Sequence, residues 1–200
     1  MKTHAFLASL MVAFLVALDA VSAPQVRPTV DYSADMTITA GKEKGTARIY
    51  HSGEADRRDM EMAGQKMTMI SNADQFLMIV PGTGMALRMA VPRDPVSQVY
   101  ERAESARFEA VGKEVVAGEA TTKYRINEPE AQGHVWLTDD GIVMRARMTS
   151  DHGDVAIDVT SLKRGPQDPA LFQPPAGLMI MDMEQMRGIG GTAMPPGIGK

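Results

Sequence analysis

The sequence predicts a mainly β fold, an antiparallel meander of short strands with one covering helix. Three observations carry that expectation. From Asp31 onward, apolar and polar residues alternate in short segments cut by turn residues. Methionines recur two apart, as in Met60-Glu61-Met62, Met67-Thr68-Met69 and Met179-Ile180-Met181-Asp182-Met183. One segment, following Asp94, switches to helical spacing. Residues two apart in a strand share a face, so each methionine run lays a row of thioethers on one side of a sheet.

In chain order, Tyr32, Ala34, Met36 and Ile38 form one face of a first strand, with Ser33, Asp35, Thr37 and Thr39 opposite. The polar Gly41-Lys42-Glu43-Lys44-Gly45 stretch reads as a turn, and Ala47 and Ile49 open a second strand. Arg58, Met60 and Met62 sit on a third, ending at Ala63-Gly64, and Met67 and Met69 mark a fourth, closed by Ser71-Asn72. Phe76 to Val80 is continuously apolar, which places that strand centrally with both faces covered. A Pro81-Gly82-Thr83-Gly84 connection leads to Met85, Leu87, Met89 and Val91.

Asp94 as N-cap and Pro95 at the first helical position start a helix. Val96, Val99, Tyr100 and Ala103 give it a single apolar stripe. Strands resume at Phe108 to Val111, at Glu114 to Ala117, and at Thr122, Tyr124 and Ile126. His134 to Thr138 passes through Asp139-Asp140-Gly141, a hairpin signal, into Ile142, Met144, Ala146 and Met148. Arg145 and Arg147 mark the wet face of that strand. A turn at Asp151-His152-Gly153-Asp154 precedes Val155, Ile157 and Val159. Asp168 to Phe172 reads as a short helical turn, and Leu178 to Met183 as a last strand.

Composition narrows the function classes. Two hundred residues, 44% of them hydrophobic, make one domain with a real core. Lys2 and His4 precede an apolar run, Ala5 to Leu18, followed by small residues at Ala20, Ser22 and Ala23. That is the pattern of a secretory leader. The expected organisation is a signal peptide over 1–22, a single domain over 23–186 and a disordered Gly/Pro-rich tail over 187–200. The apolar run falls short of the ~20 residues a spanning helix needs, so no transmembrane segment is expected in the mature chain. The chain has no cysteine, which excludes disulfides, a lipid-attachment cysteine and cysteine-ligated zinc. Net charge is −4, and losing Lys2 and Asp19 with the leader leaves it there. Nothing in that balance points to nucleic acid.

No catalytic constellation emerges, so the sequence reads as a non-enzyme. No serine stands in a nucleophile-elbow context, and His51, His134 and His152 are too far apart for metal-ligand spacing. Asp139-Asp140 belongs to a turn rather than to a carboxylate pair. The methionines remain: 17 in all, only Met1 and Met11 lying in the first 22 residues, in a chain with 5% aromatics. Three readings stay open. They fill a core; they line a soft apolar surface that repacks around a hydrophobic guest; or they ligate Cu(I), which thioethers select. Met179, Met181, Met183 and Met186 are the candidate copper ligands; otherwise no cofactor is expected.

Several stretches resemble the lipoprotein-localisation (LolA/LolB-like) superfamily of bacterial periplasmic proteins. They are Lys44-Gly45-Thr46-Ala47-Arg48-Ile49-Tyr50, then Arg58-Asp59-Met60-Glu61-Met62-Ala63-Gly64-Gln65-Lys66-Met67, then Gly112 to Glu119 with Thr122-Lys123-Tyr124. Val135-Trp136-Leu137-Thr138-Asp139-Asp140-Gly141 and Asp168 to Gly177 complete the order. The likeness spans roughly residues 30 to 183 and rests on the order of these stretches, its closest kin being small uncharacterised families of the group. It implies a strongly curved antiparallel sheet, an incomplete β-barrel, with one or two short covering helices and a concave side that takes acyl chains. The chain departs from the lipoprotein carriers in having fewer helices and no residue recognisable as dedicated to lipoprotein release.

Together these readings lead to a periplasmic protein of a Gram-negative bacterium that holds a hydrophobic ligand, a lipid or lipoprotein acyl chain. Parity assigns Met36, Ile38, Ile49, Met60, Met62, Met67, Met69, Phe76 and Met78 to the lining, with Tyr100 on the covering helix. A Cu(I)-binding protein is the alternative, and a scaffold that pairs a partner along an exposed sheet edge is a third reading.

Overall fold

The computed structural model describes residues 24–89, 101, 103–129, 131–150 and 153–183. The expected leader and tail lie outside these residues, as does most of the expected helix; residues 101 and 103–105, at its end, are helical. Twelve strands follow in chain order. They are β1 (Tyr32–Ala40), β2 (Glu43–Ser52), β3 (Ala55–Met62), β4 (Gln65–Ser71), β5 (Phe76–Ile79) and β6 (Met85–Met89), then β7 (Phe108–Val116), β8 (Glu119–Glu128), β9 (Ala131–Leu137), β10 (Val143–Ser150), β11 (Gly153–Arg164) and β12 (Met179–Asp182).

All twelve join one curved, open sheet in the order β12-β6-β5-β4-β3-β2-β1-β11-β10-β9-β8-β7. Two meanders, β1–β6 and β7–β11, are sewn together where β1 pairs with β11, Met36 facing Val159 and Ile38 facing Ile157. The mainly β, incomplete-barrel expectation holds. It is refined at the last strand, because β12 runs parallel to β6, Met179 facing Met85 and Met181 facing Leu87. A parallel neighbour needs a long crossover, and the chain from β6 around the second meander to β12 supplies it.

Three irregularities bend the sheet, as bulges do. They fall between Asp35 and Met36, between Ala110 and Gly112, and between Val143 and Arg145. The second explains a departure from the sequence reading, in which Phe108 to Val111 and Glu114 to Ala117 were separate segments. The polar Gly112-Lys113 stretch is regularly paired inside one strand, β7, just past a bulge at Val111. Gly45 likewise lies within β2 rather than in the preceding turn, facing Met62. A Cβ there would overlap the Glu61 carbonyl oxygen, so glycine is what lets β2 and β3 approach.

Core packing divides into two clusters. Tyr32, Ala34, Val116, Trp136, Ile142, Met144 and Val159 form the larger, in the sheet's second half. Trp136 donates from Nε1 to Glu114 at 2.8 Å and lies beneath Lys123 and Arg145. Ile70, Leu77, Ile79 and Ala86 form the smaller, packed against Leu178 and Ile180. The short 3₁₀ turn Pro169–Phe172 forms as expected, capped by Asp168, whose carboxylate accepts from the Ala170 amide. It docks on β3: Arg57 donates to the Leu171 carbonyl, and Asn72 to that of Phe172.

Ion pairs tie the rims. Arg164 donates to Asp140 at 2.6 Å, which holds that carboxyl below the usual carboxylate range against the opposing pull of burial. Burial pushes the Asp158 carboxyl up, but hydrogen bonds from Arg147 and Arg145 together outweigh it and leave it lowered. Arg88 grips Asp182 at the β6–β12 seam and lowers its carboxyl too.

Candidate functional site

Cross-strand register decides which side chains share a face, since directly paired residues point the same way. One row runs Met36, Ala47, Met60, Met67. The next runs Ala34, Ile49, Arg58, Met69, Met78, Leu87, Met181. A third runs Tyr32, His51, Asp56, Ser71, Phe76, Met89. Ile38, Gly45 and Met62 continue the same face beyond Met36. The alternation of β1 to β6 therefore gathers Met36, Ile38, Ile49, Met60, Met62, Met67, Met69, Phe76 and Met78 onto one continuous surface. Tyr100 lies outside the described residues.

The surface is graded in burial. Phe76 is fully buried at one end, while Met36, Ile38, Ile49, Met60, Met62, Met67, Met69 and Met78 are only half-buried. Their unbranched, polarizable side chains change rotamer at little cost, so the face can be dry or occupied with modest rearrangement. On the opposite face of the same strands, Ile70, Leu77, Ile79 and Ala86 are buried and pack against Leu178 and Ile180.

Met179 faces Met85 across the β6–β12 pair and is 63% exposed, while Met181 faces Leu87. Met183 lies one residue beyond β12, and Met186 is outside the described residues. Of the candidate copper ligands among the described residues, only Met179 thus has another methionine as its register partner.

Sequence reasoning passed over three polar members of this face. His51 and Asp56 are both buried, with Nδ1 3.2 Å from the carboxylate, and the His51 ring rests 5.4 Å from that of Tyr32. The pair is internally satisfied and closes the rim end. Arg58 differs. It stands between Ile49 and Met69 on their own face, and its Nε is buried with no hydrogen-bond partner among the described residues. A buried donor left unsatisfied costs about 1–3 kcal/mol. The signal was in the sequence: Arg58 has the same parity as Met60 and Met62, an arginine in an apolar register.

Fold and face together define a mainly β, open-sheet protein with one side closed by its own chain and the other lined with thioethers. Residues 33–143, more than half the chain, match the family described as a domain of unknown function (DUF4412), and the chain belongs to it. Among solved structures, a chain of the Pseudomonas aeruginosa MucA/MucB complex is similar at 15% identity and a TM-score of 0.53, over 77% of this chain and 59% of that one. MucB solved by itself is similar at 13% identity and 0.53, over 77% and 60%. An uncharacterised conserved protein from Thermus thermophilus is similar at 12% identity and 0.55, over 76% and 90%. At such identities the likeness establishes the fold. The chain spans about three fifths of the MucB length that it matches. No curated protein is significantly similar to it. No helix among the described residues is long and apolar enough to cross a membrane.

Proposed function

We propose that the chain is a secreted, non-enzymatic binding protein that holds a hydrophobic ligand, a lipid or acyl chain, against its methionine face. The observation that carries this reading is the contrast between the two sides of β4 to β6. One side is buried, with Leu178 and Ile180 packed against its cluster; the other leaves a contiguous run of thioethers partly exposed. A contiguous, partly exposed apolar row of this kind suits a site that a guest covers. The open, curved sheet shared with MucB, and the ordered stretches that resemble the LolA/LolB-like proteins, support the same reading.

In this proposal residues 1–22 form the leader, 23–186 the binding domain and 187–200 a tail, and the protein acts in the periplasm. Protein purified from its native source and examined by mass spectrometry under non-denaturing conditions is expected to carry added mass that organic extraction releases as lipid. Bare protein that also fails to bind a fluorescent fatty-acid probe would sink the reading.

One observation favours a second reading, the exposed Met179 opposite Met85 at the sheet edge. Two thioethers there suit a soft monovalent ion. Titration with Cu(I) under reducing conditions discriminates: absent binding, or binding unchanged in M179L, removes copper from consideration.

A further inference from the structure

We propose that Arg58 anchors the charged head of the ligand, making the methionine face a site for long-chain carboxylates rather than for apolar molecules in general. The inference rests on the apolar-ligand reading and narrows it.

Its starting point is the misfit of a guanidinium in an apolar row. Arg58 is flanked across the sheet by Ile49 and Met69 and along its strand by Met60, and its Nε is buried without a hydrogen-bond partner among the described residues. Asp56, the other neighbour on that face of β3, is engaged by His51. The other described arginines of this half of the sheet are matched: Arg57 holds Asp59, Arg48 faces Asp35, and Arg88 grips Asp182. Arg58 keeps an unsatisfied donor where a satisfied one would stabilise the fold.

The chemistry of the missing partner follows from what surrounds it. A single positive charge beside the Asp56 carboxylate favours a monoanion over a doubly charged phosphate. Nε and a terminal nitrogen of guanidinium present two parallel N–H groups that match a planar carboxylate. The buried Nε is reached by a flat, slim group, with the unbranched Met60 and Met69 side chains moving aside. From Arg58 the apolar row continues through Met69, Met78 and Leu87 to Met181, four strand spacings or ~19 Å. A carboxylate at Arg58 with its alkyl chain laid across those strands uses both features at once.

The test is displacement of a fluorescent apolar probe from the purified protein by three competitors: palmitate, hexadecanol and lysophosphatidic acid, whose phosphomonoester can carry two charges. The wild-type protein is expected to prefer palmitate over hexadecanol by about tenfold, with lysophosphatidic acid weaker than palmitate. R58M is expected to bind palmitate and hexadecanol alike, and to melt at a higher temperature than the wild type because the buried unsatisfied donor is gone. R58K keeps the charge without the planar fork and is expected to retain part of the preference. Equal displacement by palmitate and hexadecanol from the wild type, tighter binding of the phospholipid, or an undiminished preference in R58M overturns the assignment while leaving an apolar site in place. Failure of every competitor and of the probe itself overturns the underlying reading as well.

Discussion

The same three strands, β4, β5 and β6, present two faces that the chain treats in opposite ways. Ile70, Leu77, Ile79 and Ala86 alternate with Met69, Met78 and Leu87, so every second residue enters one surface or the other. On the first, Ile70 and Leu77 have no exposure at all, and Leu178 and Ile180 pack against the cluster. There the side chains are branched, with few rotamers to lose, and they fill a fixed space. On the second, thioethers stand half-exposed and the side chains are flexible. On these strands the buried face carries mostly branched residues, and the partly exposed face mostly methionine. Apolar content alone does not distinguish these two faces; coverage does.

The sharpest way to break this comparison is to truncate both faces. Leu77→Ala and Ile70→Ala are each expected to cost about 2–5 kcal/mol, the range for large-to-small changes in a packed core. Met69→Ala and Met78→Ala are expected to cost about 1 kcal/mol or less, because partly exposed surface loses less on deletion. Urea denaturation measures all four, and equal costs on the two faces would erase the distinction. Gly45→Val comes next, at about 1–3 kcal/mol by overpacking, since its side chain would meet the Glu61 carbonyl oxygen and push β2 from β3.

A smaller effect sharpens the role of the rims. The Asp140 carboxyl is lowered in the folded protein, chiefly by its hydrogen bond from Arg164. The stability it contributes is therefore present above the unfolded value of about 3.9 and lost as pH falls through the lower folded value. R164Q is expected to cost up to about 1 kcal/mol near neutrality, modest because the pair is partly solvated. Its deficit against the wild type is expected to vanish in strong acid. A deficit independent of pH would mean that Arg164 acts through packing. Smallest is the release of β12: R88Q removes the guanidinium that grips Asp182, and hydrogen exchange at residues 179–182 is expected to speed up while β4 and β5 keep their protection.

Much of this architecture could be read from alternation. The parity of Met36, Met60, Met62, Met67, Met69 and Met78 placed them on one face before any register was known, because a period of two is built into the extended backbone. Asp168-Pro169 announced the 3₁₀ turn by cap chemistry. Long-range pairing was not legible. That β12 joins β6 in parallel depends on a crossover of some ninety residues, which no local pattern encodes. The Gly112-Lys113 stretch after the bulge at Val111 read as a gap between strands, since a bulged strand and a break share the same glycine and polar signature. Arg58 was visible in parity with its methionine neighbours, but its importance depended on burial, which a sequence does not state. His51 and Asp56, five residues apart across a tight hairpin, form their buried pair only once β2 and β3 are in register.

The central claim is that the methionine face, and not the closed one, receives an apolar ligand. Photo-crosslinking with a diazirine-bearing fatty acid, mapped by peptide mass spectrometry, tests it directly. Label is expected on Met60, Met67, Met69 and Met78, with palmitate competing it away. Label confined to the exposed β7 edge at Val111 and Val115, or spread without competition, would contradict it.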